Sequence, residues 1–241
     1  MNADGSPTVV LVHGAFADAS SWTGVVERLQ AKRVAVKAPA NPLRGISIDS
    51  AYVANVLDET PGPVVAVGHS YGGAVISNAA KQAKNVVGLV YVAAFATEDG
   101  ESLGEATGAS KDAILGDALV PQHYPAPDGG DPLVELGIDP AKFRDAFAAD
   151  LPEDQTAVMA ATQRPIAELG FSEQNGPPAW KDLPSWAVIA TADKAAGTDV
   201  TRSMAERAGA TITEVDASHV VMVSQPDAVT AVILDALAAV G

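Results

Sequence analysis

Val64-Val65-Ala66-Val67-Gly68-His69-Ser70-Tyr71-Gly72-Gly73 is the stretch on which the reading of this chain turns. Its first four residues are small or β-branched and apolar, which suits a strand buried on both faces. A Gly-His-Ser-Tyr-Gly turn follows, and then an Ala-rich segment with helical character. A G-x-S-x-G turn between strand and helix is a nucleophile elbow: the serine occupies a strained corner and projects its hydroxyl clear of the sheet. Gly68 and Gly72 flank it because strand and helix run too close there for side chains. Ser70 is therefore read as a nucleophile, against the alternative of a plain strand-to-helix turn with an incidental serine.

On either side of this stretch, strands alternate with helices. Residues 8–12 form a short apolar run that ends in His13-Gly14-Ala15-Phe16, a buried strand feeding a loop. Ser20 or Ser21 offers an N-cap for a helix carrying Trp22, Val25, Val26 and Leu29 at helical spacing. Residues 34–38 read as a strand stopped by Pro39, Pro42 and Gly45. Ser47 can cap a helix with Ile48, Tyr52, Val53 and Val56 on one face. The Pro61-Gly62-Pro63 turn enters the elbow strand, and residues 86–92 are a further apolar run. Towards the C-terminus, residues 185–191 are a strand, 198–208 a helix stopped by Gly209, and 211–215 the last strand. Ser224-Gln225-Pro226-Asp227 resembles a capping box opening the final helix, with Val229, Ile233 and Leu237 on one face. This alternation predicts an α/β fold of βαβ units, a parallel sheet covered by helices on both faces.

The alternation breaks at about residue 97. From there to about residue 182 the chain carries Gly129-Gly130, many prolines and several helix-like stretches, but no convincing strand. Asp139-Pro140 suits the start of one helix. Another spans about 152–169, stops at Gly170 and is divided by Pro165. The expected organisation is an α/β core of residues 1–97 and 183–241, with a helical lid, residues 98–182, inserted after the fourth core strand. The plainer alternative for that insertion is a helical subdomain with a packing role.

Composition narrows the partners. With 48% hydrophobic residues, the 241-residue chain has ample material for a core, and no window approaches the ~18 unbroken apolar residues of a membrane span. Thirty acids against 15 bases leave a net charge of −15, a field that disfavours nucleic acid and anionic membranes. The start, Met1-Asn2-Ala3-Asp4-Gly5-Ser6-Pro7, shows neither a basic nor an apolar leader region, so a cytoplasmic location is expected. The absence of cysteine removes disulfides, thiolate metal sites and a Cys nucleophile. No His/Asp/Glu cluster has ligand spacing, and no metal or cofactor is expected.

A serine hydroxyl needs a base within hydrogen-bond reach and a third group to orient that base. Ligands of such sheets sit at the carboxyl ends of the strands, so both partners should follow later strands, in the order Ser, acid, His. Asp193, in Thr191-Ala192-Asp193-Lys194, is the candidate acid; Asp199 falls in the first turn of a helix and Asp216 lies three residues from the histidine. The base is His219, between the last strand and the last helix. His13 and His69 sit in tight turns beside glycines and read as structural, while His123 has no positional claim. An oxyanion hole needs two backbone N–H groups. By position these belong to Tyr71 and to Ala15, with Phe16 as the alternative to Ala15. Phe16, Trp22, Tyr71 and Met222 offer pocket walls or plain core.

Taken together, His13-Gly14-Ala15, Gly68-His69-Ser70-Tyr71-Gly72-Gly73, Thr191-Ala192-Asp193-Lys194 and Ser218-His219-Val220-Val221-Met222 resemble the α/β-hydrolase family, and within it the small serine esterase branch of plant methylesterases and hydroxynitrile lyases. The resemblance covers the chain outside the lid. It implies a Ser70–Asp193–His219 triad, Ala15 and Tyr71 as oxyanion donors, and a sheet that begins at the family's third strand: six parallel strands with no antiparallel N-terminal edge. The hydroxynitrile lyases of the branch carry a lysine after the catalytic histidine, where this chain has Val220. Dehalogenases and epoxide hydrolases have an aspartate nucleophile, where this chain has Ser70. The expected function is cofactor-free hydrolysis of a small-molecule ester, small to medium and uncharged, through an acyl-enzyme. The alternatives are a lyase or perhydrolase on the same triad, or a ligand-binding protein of the same fold.

Overall fold

Residues 5–241 are described by the computed structural model; residues 1–4, the beginning of the stretch read for a leader, lie outside the described residues. In chain order the elements are β1 (Thr8–Val12), α1 (Thr23–Ala31), β2 (Val36–Lys37), α2 (Ile46–Asp58), β3 (Val64–His69), α3 (Tyr71–Ala79) and β4 (Val86–Val92). Then come α4 (Leu103–Gly108), β5 (Leu119–Tyr124), β6 (Leu133–Ile138), α5 (Phe143–Phe147), α6 (Glu153–Thr162), β7 (Ile166–Ala167) and α7 (Leu169–Ser172). The chain closes with β8 (Ser185–Ala190), α8 (Thr198–Arg207), β9 (Thr211–Val215), α9 (Val221–Ser224) and α10 (Pro226–Val240).

Six strands form one sheet in the order β2-β1-β3-β4-β8-β9, and every neighbouring pair is parallel. α3 packs on β3 and β4, and α10 packs on β3, β4 and β8, with α2 beside α3 and α1 beside α10. The middle strands therefore have no solvent face, which is why β1 and β3 read as unbroken apolar runs rather than alternating ones. Val9, Val10, Leu11 and Val12 are fully buried, as are Val64, Val65, Ala66 and Val67. Chain order reverses direction between β1 and β3. In an open parallel sheet that reversal leaves a crevice at the strands' carboxyl ends. The His13–Phe16 loop and Ser70 stand on its two sides.

Several local expectations shift. The strand expected over 34–38 shrinks to Val36–Lys37, because this edge strand pairs only with β1 and Pro39 ends it. The first helix is entered through a 3-10 turn capped by Asp18, whose carboxylate accepts from the Ser20 N–H at 2.7 Å; neither Ser20 nor Ser21 is the cap. Ser47 lies inside α2, and Gly45 (φ 134°) takes the N-cap, a conformation that favours glycine. Ser224 does not cap α10: Gln225 precedes Pro226 at the first helical position, where an absent N–H needs no cap.

The largest correction concerns residues 98–182, which are not wholly helical. They contain a three-stranded antiparallel sheet, β5-β6-β7. Pro121 disguised it. A proline is tolerated in an edge strand, and β5 is an edge, with Pro121 opposite Leu136. β7 is two residues long, directly after Pro165, and replaces the end of the expected 152–169 helix. Near Asp139, helix begins only at Phe143. Among the described residues, no helix is long and apolar enough to cross a membrane.

Candidate active site

Ser70 joins β3 to α3 with φ 54° and ψ −125°, a positive φ that costs a non-glycine residue about 1–3 kcal/mol. The corner is held from both sides. The Ser70 N–H donates to the Val92 carbonyl at 3.2 Å, and the Ser70 carbonyl accepts from Gly73 N–H at 2.9 Å and Phe95 N–H at 3.2 Å. The flanking glycines are sterically required. A Cβ on Gly68 would lie 2.4 Å from the Gly72 carbonyl oxygen, and one on Gly72 would lie 2.5 Å from that of Val12.

Asp193 follows β8 and is buried. Its Oδ1 accepts from the N–H groups of Ala195 (2.8 Å) and Ala196 (3.0 Å), and its Oδ2 lies 2.8 Å from His219 Nδ1. With Asp193 ionised, Nδ1 carries the proton and Nε2 is left as the free base. His219 is 1% exposed, and its ring packs against those of His69 and Phe147 with centroids 4.7 and 5.1 Å away. His219 and Ser70 line one small cavity with Ala15, Phe16, Tyr71 and Phe95. Of the other acids considered, Asp199 accepts from Ser110 and Lys111, and Asp216 is exposed.

The two expected oxyanion donors border the same cavity. Among the described residues, neither Ala15 nor Tyr71 gives its N–H to a backbone carbonyl, whereas the Phe16 N–H donates to Arg164 at 3.0 Å. Phe16 is therefore committed elsewhere, which favours Ala15. The Tyr71 hydroxyl donates to Asp49 Oδ2 at 2.7 Å, and burial beside that carboxylate pushes the phenol well above its ordinary range. Asp49 itself is fully buried and accepts from the Arg44 N–H; burial raises its carboxyl. Arg44 continues to Glu135 of β6 at 2.9 Å and covers the Tyr124 ring of β5. Asp49 was invisible to sequence reading: it sits in a helical first turn, where an acid is ordinary.

The expected pocket walls are corrected at two places. Phe16 borders the cavity; Trp22 and Met222 do not. Trp22 is fully buried in the core with its ring edge-on to His69 at 6.4 Å, and Met222 is fully buried in α9. Phe147, Phe171, Thr107 and Leu115, all from the insertion, supply the wall instead. Nothing in their local sequence marked them, because only the chain's return over the sheet brings them there. The insertion also touches the base loop directly, where the Ser218 hydroxyl donates to Asp150. Among the described residues, no group of three or more His, Asp or Glu could hold a metal ion.

His13 and His69 act through neutral rings. His13 Nε2 accepts from the Asn41 N–H at 2.9 Å while Nδ1 faces the Gly14 carbonyl; His69 Nε2 donates to the His219 carbonyl at 3.0 Å. Burial lowers the proton affinity of both, and His219 adds to the effect at His69. A histidine depressed in the folded state is protonated more readily in the unfolded chain. Stability is therefore fully present above the unfolded value of about 6.5 and is lost as pH falls below it, by at most about 1.4 kcal/mol per pH unit for each ring. Urea unfolding at pH 7.5 and 5.5 should show wild type weakening across this window, and His69→Gln losing less. Equal slopes for the two proteins would remove His69 from the account.

A family model described as the Alpha/beta hydrolase family matches residues 9–232. Among solved structures, the chain resembles polyneuridine aldehyde esterase, with a TM-score of 0.78 at 20% identity over 95% of this chain and 98% of that one. It also resembles a pyrethroid hydrolase from Sphingobium faniae JZ-2, with a TM-score of 0.76 at 22% identity over 97% and 98%. A third is tomato methylketone synthase I in complex with 2-tridecanone, with a TM-score of 0.77 at 18% identity over 98% and 99%. At these identities the likeness is one of fold. Among curated proteins, none matches the sequence.

Proposed function

Because the chain belongs to the alpha/beta hydrolase family, we propose that it hydrolyses uncharged carboxylic esters with Ser70 as nucleophile, His219 as base and Asp193 as the group that orients it. One observation carries this reading: His219, held by buried Asp193 at 2.8 Å, borders the same cavity as a serine held at a positive φ. Ser70 Oγ attacks the acyl carbon as its proton passes to His219 Nε2. The carbonyl oxygen becomes an oxyanion that the Ala15 and Tyr71 N–H groups receive. Collapse of the tetrahedral species expels the alcohol, which takes the proton from His219. Water then loses a proton to His219 and attacks the acyl carbon; the second tetrahedral species expels Ser70 Oγ, which takes that proton back from His219 as the acid leaves. Asp193 holds Nδ1–H in place throughout. Residues 98–182, through Thr107, Leu115, Phe147 and Phe171, serve as the lid of this site and keep bulk water from the acyl-enzyme.

The test is turnover of p-nitrophenyl esters from acetate to decanoate, with labelling by an organophosphonate mapped by peptide mass spectrometry. Ester turnover and a single adduct on Ser70 are expected. Neither turnover nor label would overturn the reading.

A further inference from the structure

The cavity over Ser70 is too small for an ester. The space open to the centres of water-sized molecules is about 10 Å³, enough for about one water. Beside it lies a groove of about 610 Å³. Thr107, Leu115 and Phe171 belong to the walls of both, so these side chains part the serine from the groove.

We propose that this groove binds the apolar arm of an uncharged ester, and that Thr107, Leu115 and Phe171 form the gate through which the arm reaches Ser70. The proposal rests on the reading of Ser70 as the nucleophile. The groove has the size of a small-molecule site. Its floor is apolar, built from Ile114, Leu119 and Leu136 together with Leu115 and Phe171, and Ile114 is left 43% exposed there. Its charged lining residues are Asp117 and Glu168, both acidic, and the whole chain carries −15. That field turns away carboxylate and phosphate substrates, and the apolar floor favours an uncharged arm.

The wall is also kept open by composition. Gly108 and Gly116 line the groove, and a Cβ on either would meet no atom within 4 Å. The loop that carries Leu115 is tied to the core: Ser110 Oγ lies 2.5 Å from Asp199, the Lys111 N–H donates to the same carboxylate, and the Ile114 N–H donates to the Lys194 carbonyl at 2.8 Å. The gate therefore opens by side-chain rotation rather than by departure of the loop. Phe171 is suited to this: it is half-buried, its ring stacked on that of Phe16 with centroids 6.4 Å apart.

Gly108→Leu and Gly116→Leu fill the groove without touching the triad. Gly108 ends α4, where leucine is the better helix former. The readout is the ratio of kcat/KM for p-nitrophenyl decanoate to that for p-nitrophenyl acetate, which a loss of folded fraction does not move. A fall of at least about tenfold in both variants is expected, the size of effect that one misfitted apolar contact carries. In a Ser70→Ala background, displacement of Nile red by methyl decanoate should weaken by a similar factor when either leucine is added. An unchanged ratio together with unchanged displacement overturns the groove. Absence of ester turnover and of phosphonate label in wild type overturns the esterase reading instead, and the displacement assay then decides the groove by itself.

Discussion

Ser70→Ala is expected to lower kcat for p-nitrophenyl esters by about 10⁴- to 10⁶-fold, the range in which loss of a nucleophile leaves only binding and oxyanion stabilisation. The fold should not notice. Alanine retains the Cβ that the corner already accommodates, and the bonds that clamp residue 70 in place are made by its N–H and carbonyl. Its thermal midpoint should stay within about 2 °C of wild type. Ser70→Gly separates catalysis from strain. At φ 54° and ψ −125° glycine escapes a cost of about 1–3 kcal/mol, offset by about 1 kcal/mol for the freer unfolded chain. It should be as inactive as Ser70→Ala but unfold at higher urea. A glycine variant less stable than the alanine one would show that the corner is not strained, and retained turnover in either would displace Ser70 from its role.

Asp193→Asn is the second large effect, an expected loss of about 10³- to 10⁴-fold in kcat. The two oxygens of Asp193 have separate tasks. Oδ1 takes two backbone N–H groups, from Ala195 and Ala196, and Oδ2 faces His219 Nδ1. An asparagine keeps its carbonyl oxygen on the two amides and is left with its NH₂ against Nδ1. The imidazole must then carry its proton on Nε2, which can no longer accept from Ser70. The loss should appear in kcat, with KM for p-nitrophenyl acetate changed little, because Asp193 does not border the cavity. Activity within about tenfold of wild type would mean that another acid orients the base.

Most of the sheet and the serine corner at its centre were legible in the sequence, for a physical reason. A parallel strand buried on both faces must be continuously apolar, so Thr8–Val12, Val64–His69, Val86–Val92 and Ser185–Ala190 announce themselves by composition. The elbow is equally legible. Its glycines are there because backbone atoms stand 2.4 and 2.5 Å from where side chains would begin, and no other residue can hold those places. Capping was misread where a backbone conformation or a proline did the work expected of serine, as at Gly45 and Pro226.

Elsewhere the signal is weak because the energetics are not local. β5 carries a proline and is mostly exposed, so neither propensity nor alternation marks it; its pairing with β6 makes it a strand. The sequence leaves Trp22 and Met222 open between pocket and core, because a large apolar side chain looks the same in sequence whether it meets a substrate or the core; both lie in the core.

By itself, then, the sequence determined the parallel α/β sheet, the strained serine corner at its centre, and the chain order Ser70, Asp193, His219, since each depends on residue types that strand burial, backbone crowding or proton chemistry demands at that place. Only the tertiary structure decided which atoms meet. It brought His219 Nδ1 to Asp193 Oδ2, tied Tyr71 to Asp49, committed the Phe16 N–H to Arg164, and folded Leu115, Phe147 and Phe171 over the serine. Those contacts join residues far apart in the chain, and the free energy that selects them comes from burial and hydrogen bonding across the whole packed core, which no window of sequence contains.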